Sequence, residues 1–316
     1  MRLTGFYTLA IIAGLLPVLF PGNYFITVVG IAAGLNVILA VGLNLLIGYA
    51  GQISLGHAAF FGMGAYASAI LTTRYAFPPL LALSVGLISA GLIAWVLARP
   101  ILRLHGHYLA MATLGFGIII HVIMVQATGW TGGPDGLTGI PPLVLFGWAV
   151  DSDQRWYFVI MAAMLLTIWL ALNLVDSRIG RALRAVRGSE FAARMMGINT
   201  ARAKTQVFVV SALFAAFAGS LFAHQQGFVS PDSFNLSISI DLVNMGVLGG
   251  MASTFGAAVG AIALTLLHEG LVVFEDYEML IHGGLLMAVM IFLPQGLFVG
   301  LSQGARRGWA LVCRRR

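Results

Sequence analysis

Residues 42–69 read GLNLLIGYAGQISLGHAAFFGMGAYASA. An apolar run enters a glycine-rich turn, and a second run of small and apolar residues leaves it. In or near that turn stand Asn44, Gln52, Ser54 and His57, with Asn36 upstream. Polar side chains in an apolar setting cost free energy unless they find partners. These four either hydrogen-bond from helix to helix, each bond worth about 0.6–2 kcal/mol, or line or gate a polar path. The spacing leaves both readings open.

The remainder of the chain makes that setting a membrane. Of 316 residues, 59% are hydrophobic and 9% charged, against about 25% charged in a soluble domain. This composition excludes a water-soluble enzyme, a disordered chain and a fibre. The 39 glycines suit transmembrane helices packed backbone to backbone. The single cysteine, Cys313, excludes a disulfide framework and a cysteine-based zinc site. A net charge of +6 reads as a topology signal and an anchor for anionic lipid, with no nucleic-acid partner implied.

A spanning helix needs about 20 apolar residues, which predicts spans at about 5–20, 24–47, 56–72, 80–98, 108–126, 156–174, 205–223, 241–254, 256–274 and 280–298. The expected fold is an all-α polytopic membrane protein of roughly 8–10 transmembrane helices, forming one transmembrane domain over residues 1–316. Segment 241–254 is short and glycine-rich, so it either spans or forms half of a re-entrant pair. Residues 1–22 lack an A-x-A cleavage site near their end and read as an uncleaved first span. An even span count puts both termini on one side. With that side cytoplasmic, only Arg74 and Arg155 of the 17 bases fall outside, in accord with the positive-inside rule. The acids Asp135, Asp151, Asp153, Asp232, Glu275, Asp276 and Glu278 fall in outer loops.

Several chemistries have no motif here. Lys204-Thr205 lacks the glycines that free backbone N–H groups for phosphate, so no Walker A loop exists. The pairs His105/His107 and His57/His121 have no acidic or cysteine companions, so no metal site is expected. Ser54 lies in GQISLG, which is not a nucleophile elbow, and no catalytic residue is assigned. The spans carry almost no carboxylate at depth, which argues against a stand-alone ion-coupled secondary carrier. An intramembrane enzyme would lack a paired catalytic constellation. Gly246-x-x-x-Gly250 and Gly256-x-x-x-Gly260 each put two glycines on one helix face and read as helix packing.

The inner loop, about 175–204, carries seven bases and two acids. After Ser189, an expected N-cap, Phe191, Met195 and Ile198 recur at spacings of four and three, and Ala192, Met196 and Asn199 follow the same rhythm. The result is a short amphipathic helix. It lies either on anionic lipid or in a groove of a cytoplasmic partner.

Together these segments resemble the permease subunits of ATP-binding-cassette importers for branched-chain amino acids, of the LivM type. The resemblance covers nearly the whole chain. It rests on residues 42–69, on TGGPDGLTGIPP at 131–142, on the segment 180–199 ending in Gly197-Ile198-Asn199, and on FLPQGL at 292–297. Two departures stand out. General importer permeases read E-A-A-x-x-x-G, whereas residues 190–197 carry one extra residue between Glu190 and Gly197. Near residue 250, Ala252, Ser253, Thr254 and Ala257 replace the family's Gly, Thr, Leu and Pro.

The resemblance implies an importer permease fold, with no reaction catalysed by this chain and ATP and Mg handled by partners. Those partners are two cytoplasmic ATPase subunits, a second related permease and an extracytoplasmic substrate-binding protein, all at a bacterial inner membrane. It makes Glu190, Ala192, Ala193, Gly197, Ile198 and Asn199 the ATPase-coupling segment. It gives Asn44, Gln52, Ser54 and His57 as the set lining or bracing a path that works by alternating access. Similar permeases move urea, short amides and other amino acids, so the cargo stays open. Residues 302–316 form a basic cytoplasmic tail.

Overall fold

The computed structural model describes residues 2–19, 24–145, 148–271 and the isolated positions 283, 284, 287, 291 and 296. The expected span at 280–298, the FLPQGL segment and the basic tail lie almost wholly outside these. The helices are α1 (Arg2–Leu19), α2 (Tyr24–Asn44), α3 (His57–Tyr75), α4 (Pro79–Ile101), α5 (His107–Gln126), α6 (Thr128–Thr131), α7 (Asp153–Asp176), α8 (Arg178–Gly188), α9 (Glu190–Met195), α10 (Thr200–Gln226), α11 (Leu236–Gly249) and α12 (Thr254–Leu271). Four two-residue strands, β1 (Leu137–Thr138), β2 (Val144–Leu145), β3 (Trp148–Ala149) and β4 (Phe228–Val229), staple the long loop after α5. β2 pairs with β3, and β1 pairs antiparallel with β4, which follows α10.

Among the described residues, six helices are long and apolar enough to cross a membrane. They are α2 with its extension, α4, α5, α7, α10 and α12. The protein is therefore a polytopic α-helical membrane protein. α3 is not in that set because His57 and Arg74 at its ends, with its glycines, tyrosines, serine and threonines, lower its mean hydropathy; it is instead enclosed, with His57, Phe61, Ala65 and Ser68 all buried. α2 is apolar on every side, as befits a central helix. Its span is 78% buried, against 17% for α5 at the periphery.

Small residues set the helix spacing. In α4, Ala82, Gly86, Ala90, Ala94 and Ala98 recur every four residues and are all buried, forming one ridge. α3 and α10 run side by side so closely that a Cβ on Gly64 would collide with the backbone of Ala216, and one on Gly219 with the carbonyl of Phe61. Such contact without side chains between is how helices associate where hydrocarbon offers no hydrophobic drive.

Two elements depart from regular helix. α2 ends in a π-helical turn, Leu45–Tyr49, a local widening that frees backbone groups. α11 has 14 residues, about 21 Å at 1.5 Å per residue, and is too short to span. It starts at 236 and not 241 because the Asn235 side chain caps it, accepting from the Ile238 N–H. It stops at Gly250, whose φ of +110° ends the helix.

Candidate functional site

Two places concentrate chemistry. The first is a pocket of about 290 Å³ where α3, α5 and α11 meet. Gly117, on its wall, stands halfway along α5, so the pocket opens at the mid-height of that helix. The wall includes Leu55, Ala58, Ala59, His121, Phe234 and Ser239. α3 and α11 both begin here, and a hydrogen bond joins their first turns: the Ala58 N–H donates to Ser239 Oγ at 3.1 Å. The chain before α3 is held by Leu55 N–H donating to Thr113 Oγ1 at 3.0 Å. Gly56 presses against the Thr113 carbonyl with no room for a Cβ. Nδ1 of His121 is buried and has no hydrogen-bond partner.

The four sequence-chosen path residues surround this region without lining the pocket. Asn44 uses both ends of its amide on the turn between α11 and α12: Nδ2 donates to the Ser253 carbonyl at 3.0 Å, and Oδ1 accepts from the Ala252 N–H at 3.2 Å. Ala252 has φ +63°, a conformation rare outside glycine, and this clamp holds it. Gln52 Nε2 donates to the Ala50 carbonyl at 3.2 Å. Ser54 is buried. His57 is 1% exposed, its Nε2 has no partner, and its ring sits over Gly42 of α2. Asn36 Nδ2 donates to Thr265 Oγ1, tying α2 to α12.

Of the packing glycines, Gly256 and Gly260 bring α12 against α11, and their counterpart there is Gly249. Gly250 terminates α11, and Gly246 faces open space.

The second place is the arginine-rich end. The helix after Ser189 forms as expected, with Ser189 Oγ accepting from the Ala192 N–H at 3.2 Å. It ends at Met195, short of the sequence rhythm, because Gly197 turns left-handed at φ +78°. Asn199 is not part of it; its Oδ1 caps α10 by accepting from the Arg202 N–H at 2.9 Å. Ala193 is buried against the bundle, Ala192 is exposed and Ile198 half-buried. Phe191, Met195 and Met196 are 72%, 69% and 83% exposed, an apolar edge facing away from the protein.

Glu190 faces inward. Its Oε2 lies 2.5 Å from Lys204 Nζ and 3.3 Å from His105 Nε2, and its Oε1 lies 2.6 Å from Arg194 and 3.2 Å from Thr200 Oγ1. Lys204 is 1% exposed. Burial pushes the Glu190 carboxyl up from its ordinary 4.5, but the hydrogen bonds from Lys204, Arg194 and Thr200 outweigh it and hold it at about 2. From α8, Arg187 Nη1 donates to the Gly48 carbonyl that the π-helical turn exposes, and its stem covers Gly51. A continuous series of contacts therefore joins α8, the end of α2, Asn44, the α11–α12 turn and α11 at the pocket.

The sequence reading also missed a buried network at the opposite end. Ser220 Oγ donates to Ser68 Oγ at 2.9 Å, Ser68 meets His224 Nε2 at 2.9 Å, and His224 Nδ1 meets the Pro141 carbonyl at 2.8 Å. It ties the TGGPDGLTGIPP loop to α3 and α10. Among the described residues no three His, Cys, Asp or Glu side chains gather at metal-binding spacing.

Fold and geometry define a polytopic membrane protein with a pocket among its helices and, at its basic end, an arginine-rich loop with an exposed apolar edge. The chain belongs to the branched-chain amino acid transport system permease component family, whose model matches residues 25–290. It is 37% identical over 278 residues to the high-affinity branched-chain amino acid transport system permease protein LivM of Escherichia coli (strain K12), covering 79% of this chain and 65% of that protein. It is 39% identical over 263 residues to LivM of Salmonella typhimurium, covering 75% and 61%. It is also 27% identical over 241 residues to the autoinducer 2 import system permease protein LsrC of Photorhabdus laumondii, covering 73% and 68%. The chain thus spans less than two thirds of the length of the two LivM proteins. No solved structure matches it.

Proposed function

We propose that this chain is the permease subunit of an ATP-driven importer for branched-chain amino acids in a bacterial inner membrane, with both termini cytoplasmic. The similarity to LivM over three quarters of the chain carries this reading. Two cytoplasmic ATPase subunits, a second permease and an outer binding protein complete the assembly. Transport proceeds by alternating access, in which ATPase contacts differ between two states of the permease.

The exposed Phe191, Met195 and Met196 form the ATPase-facing edge, and the Glu190–Lys204 pair fixes that edge to α10. Glu190 acts as an anchor within this chain; the apolar side chains beside it meet the partner. Displacement of the edge reaches the pocket through Arg187, Gly48, Asn44 and the α11–α12 turn, a contiguous network of packed and hydrogen-bonded groups. The pocket beside Ala59 and His121 is part of the cargo path, with Asn44, Gln52, Ser54 and His57 bracing it. LsrC bears the name of a different cargo, so this scaffold is not tied to one substrate, and the binding protein sets the choice.

The test is leucine uptake by cells expressing the operon, with ATP and ion gradients collapsed in turn. Uptake that survives an ionophore and stops on ATP depletion, with two ATPases and a second permease co-purifying, is the expected result. Uptake lost with the ion gradient while ATP remains overturns the proposal in favour of a secondary carrier.

A further inference from the structure

The basic end of the bundle holds a second, larger cavity, which adjoins the arginine-rich site at Asn199. It is an open groove of about 680 Å³ between α4 and the end of α7, floored by α10. Val209 and Val210 form the floor, with Leu174 and Ile179 on one wall. At the mouth stand Arg99 and Arg202. Arg99 lies over the Trp95 ring at 4.6 Å from its centroid, and Trp95 is 47% exposed.

Among the described residues the groove's charge is uncompensated. No acidic side chain lines it, and neither Arg99 nor Arg202 forms an ion pair with a described residue. Its surroundings are apolar and exposed: Leu92 and Val96 on α4 and Trp169 and Leu170 on α7 all present bare side chains. A tryptophan at that depth marks the membrane–water boundary, and arginines at the same level mark its cytoplasmic side. Two guanidinium groups with no acidic partner among the described residues, above an apolar slot, match a ligand with an anionic head and a hydrocarbon tail.

We propose that this groove binds an anionic phospholipid, its phosphate between Arg99 and Arg202 and one acyl chain along Val209 and Val210. Basic pockets between helices on the cytoplasmic side recognise such headgroups. A free phosphate has no use for the apolar slot. A zwitterionic lipid brings an ammonium toward two arginines. The inference does not depend on the cargo or on the ATPase partners.

The test is native mass spectrometry of the full complex in detergent, with phosphatidylglycerol and phosphatidylcholine supplied in equal amounts. The expected result is a preference for phosphatidylglycerol of roughly tenfold or more. It should vanish in Arg99→Ala/Arg202→Ala and persist in Arg178→Ala/Arg184→Ala, whose bases lie outside the groove. Brominated phosphatidylglycerol should also quench a fluorescence component that Trp95→Phe removes, which decides the matter in the unaltered protein should the double variant misfold. Equal retention of both lipids, a preference surviving the double substitution, displacement by glycerol phosphate alone, or no quenching of Trp95 would each overturn the proposal. So would a photo-crosslinker placed at Trp95 that captures protein instead of lipid.

Discussion

α3 meets its neighbours in two ways. Toward α10 the backbones touch at Gly64 and Gly219, Ser68 and Ser220 share a hydrogen bond, and at the base of α10 the buried Lys204 has its carboxylate. Toward α5 and α11 the same helix leaves a pocket, a histidine nitrogen without a partner, and contacts made by single hydrogen bonds from Leu55 and Ala58. A buried polar atom left unpaired costs about 1–3 kcal/mol, so a flank that tolerates one is not optimised for a single closed packing. The α10 flank is the frame, and the α5–α11 flank is where helices have room to shift.

That contrast can be broken at several points. Gly219→Leu places a side chain against the Phe61 carbonyl, and the frame should fail outright, at a cost above about 4 kcal/mol; recovery of normal yield and melting temperature would show that the flank is not tight. Glu190→Gln strands Lys204 in the interior and should cost about 3–5 kcal/mol, which Glu190→Gln/Lys204→Met should largely restore in a thermal melt. The pH dependence has a definite sign. A carboxyl held at about 2 instead of 4.5 contributes stability that is complete above its unfolded value and is lost as pH falls from 4.5 through 2. The melting temperature should drop through that window, and the double variant should drop less.

On the open flank the expected effects move from stability to transport. Ala59→Trp fills the pocket and should reduce leucine uptake at least tenfold, about 1.4 kcal/mol, while the melting temperature shifts little; unimpaired uptake would remove the pocket from the cargo path. Ser68→Ala is the mildest test of the frame. It removes one member of a network whose bonds are each worth about 0.5–1.5 kcal/mol, and should lower the melting temperature with uptake unchanged.

The apolar runs were legible because hydrocarbon demands them: each of the nine expected before residue 275 falls on a described helix, although six of those helices are long and apolar enough to cross and α11 is too short. The charged loop was legible for a similar reason, since Ser189 and the 4–3 rhythm mark one exposed face. Its end was not: Met196 and Ile198 fit the rhythm, and only the backbone angle at Gly197 stops the helix. The cap at Asn235 was written in the sequence as an amide before an apolar run, and reading from Asp241 passed over it. Apart from His121, the pocket wall was hidden for a deeper reason. Leu55, Ala58, Ala59 and Phe234 give no signal apart from packing, while the polar residues that do draw attention are partly engaged in holding backbone, as Asn44 and Gln52 are.

Lys204 is the only lysine in the chain, and it is sealed beneath Glu190. An amine-acylating reagent therefore meets no accessible side-chain target while the loop is closed. Its rate of attachment at this one position becomes a clock for opening, read as a single mass increment and needing no engineered label.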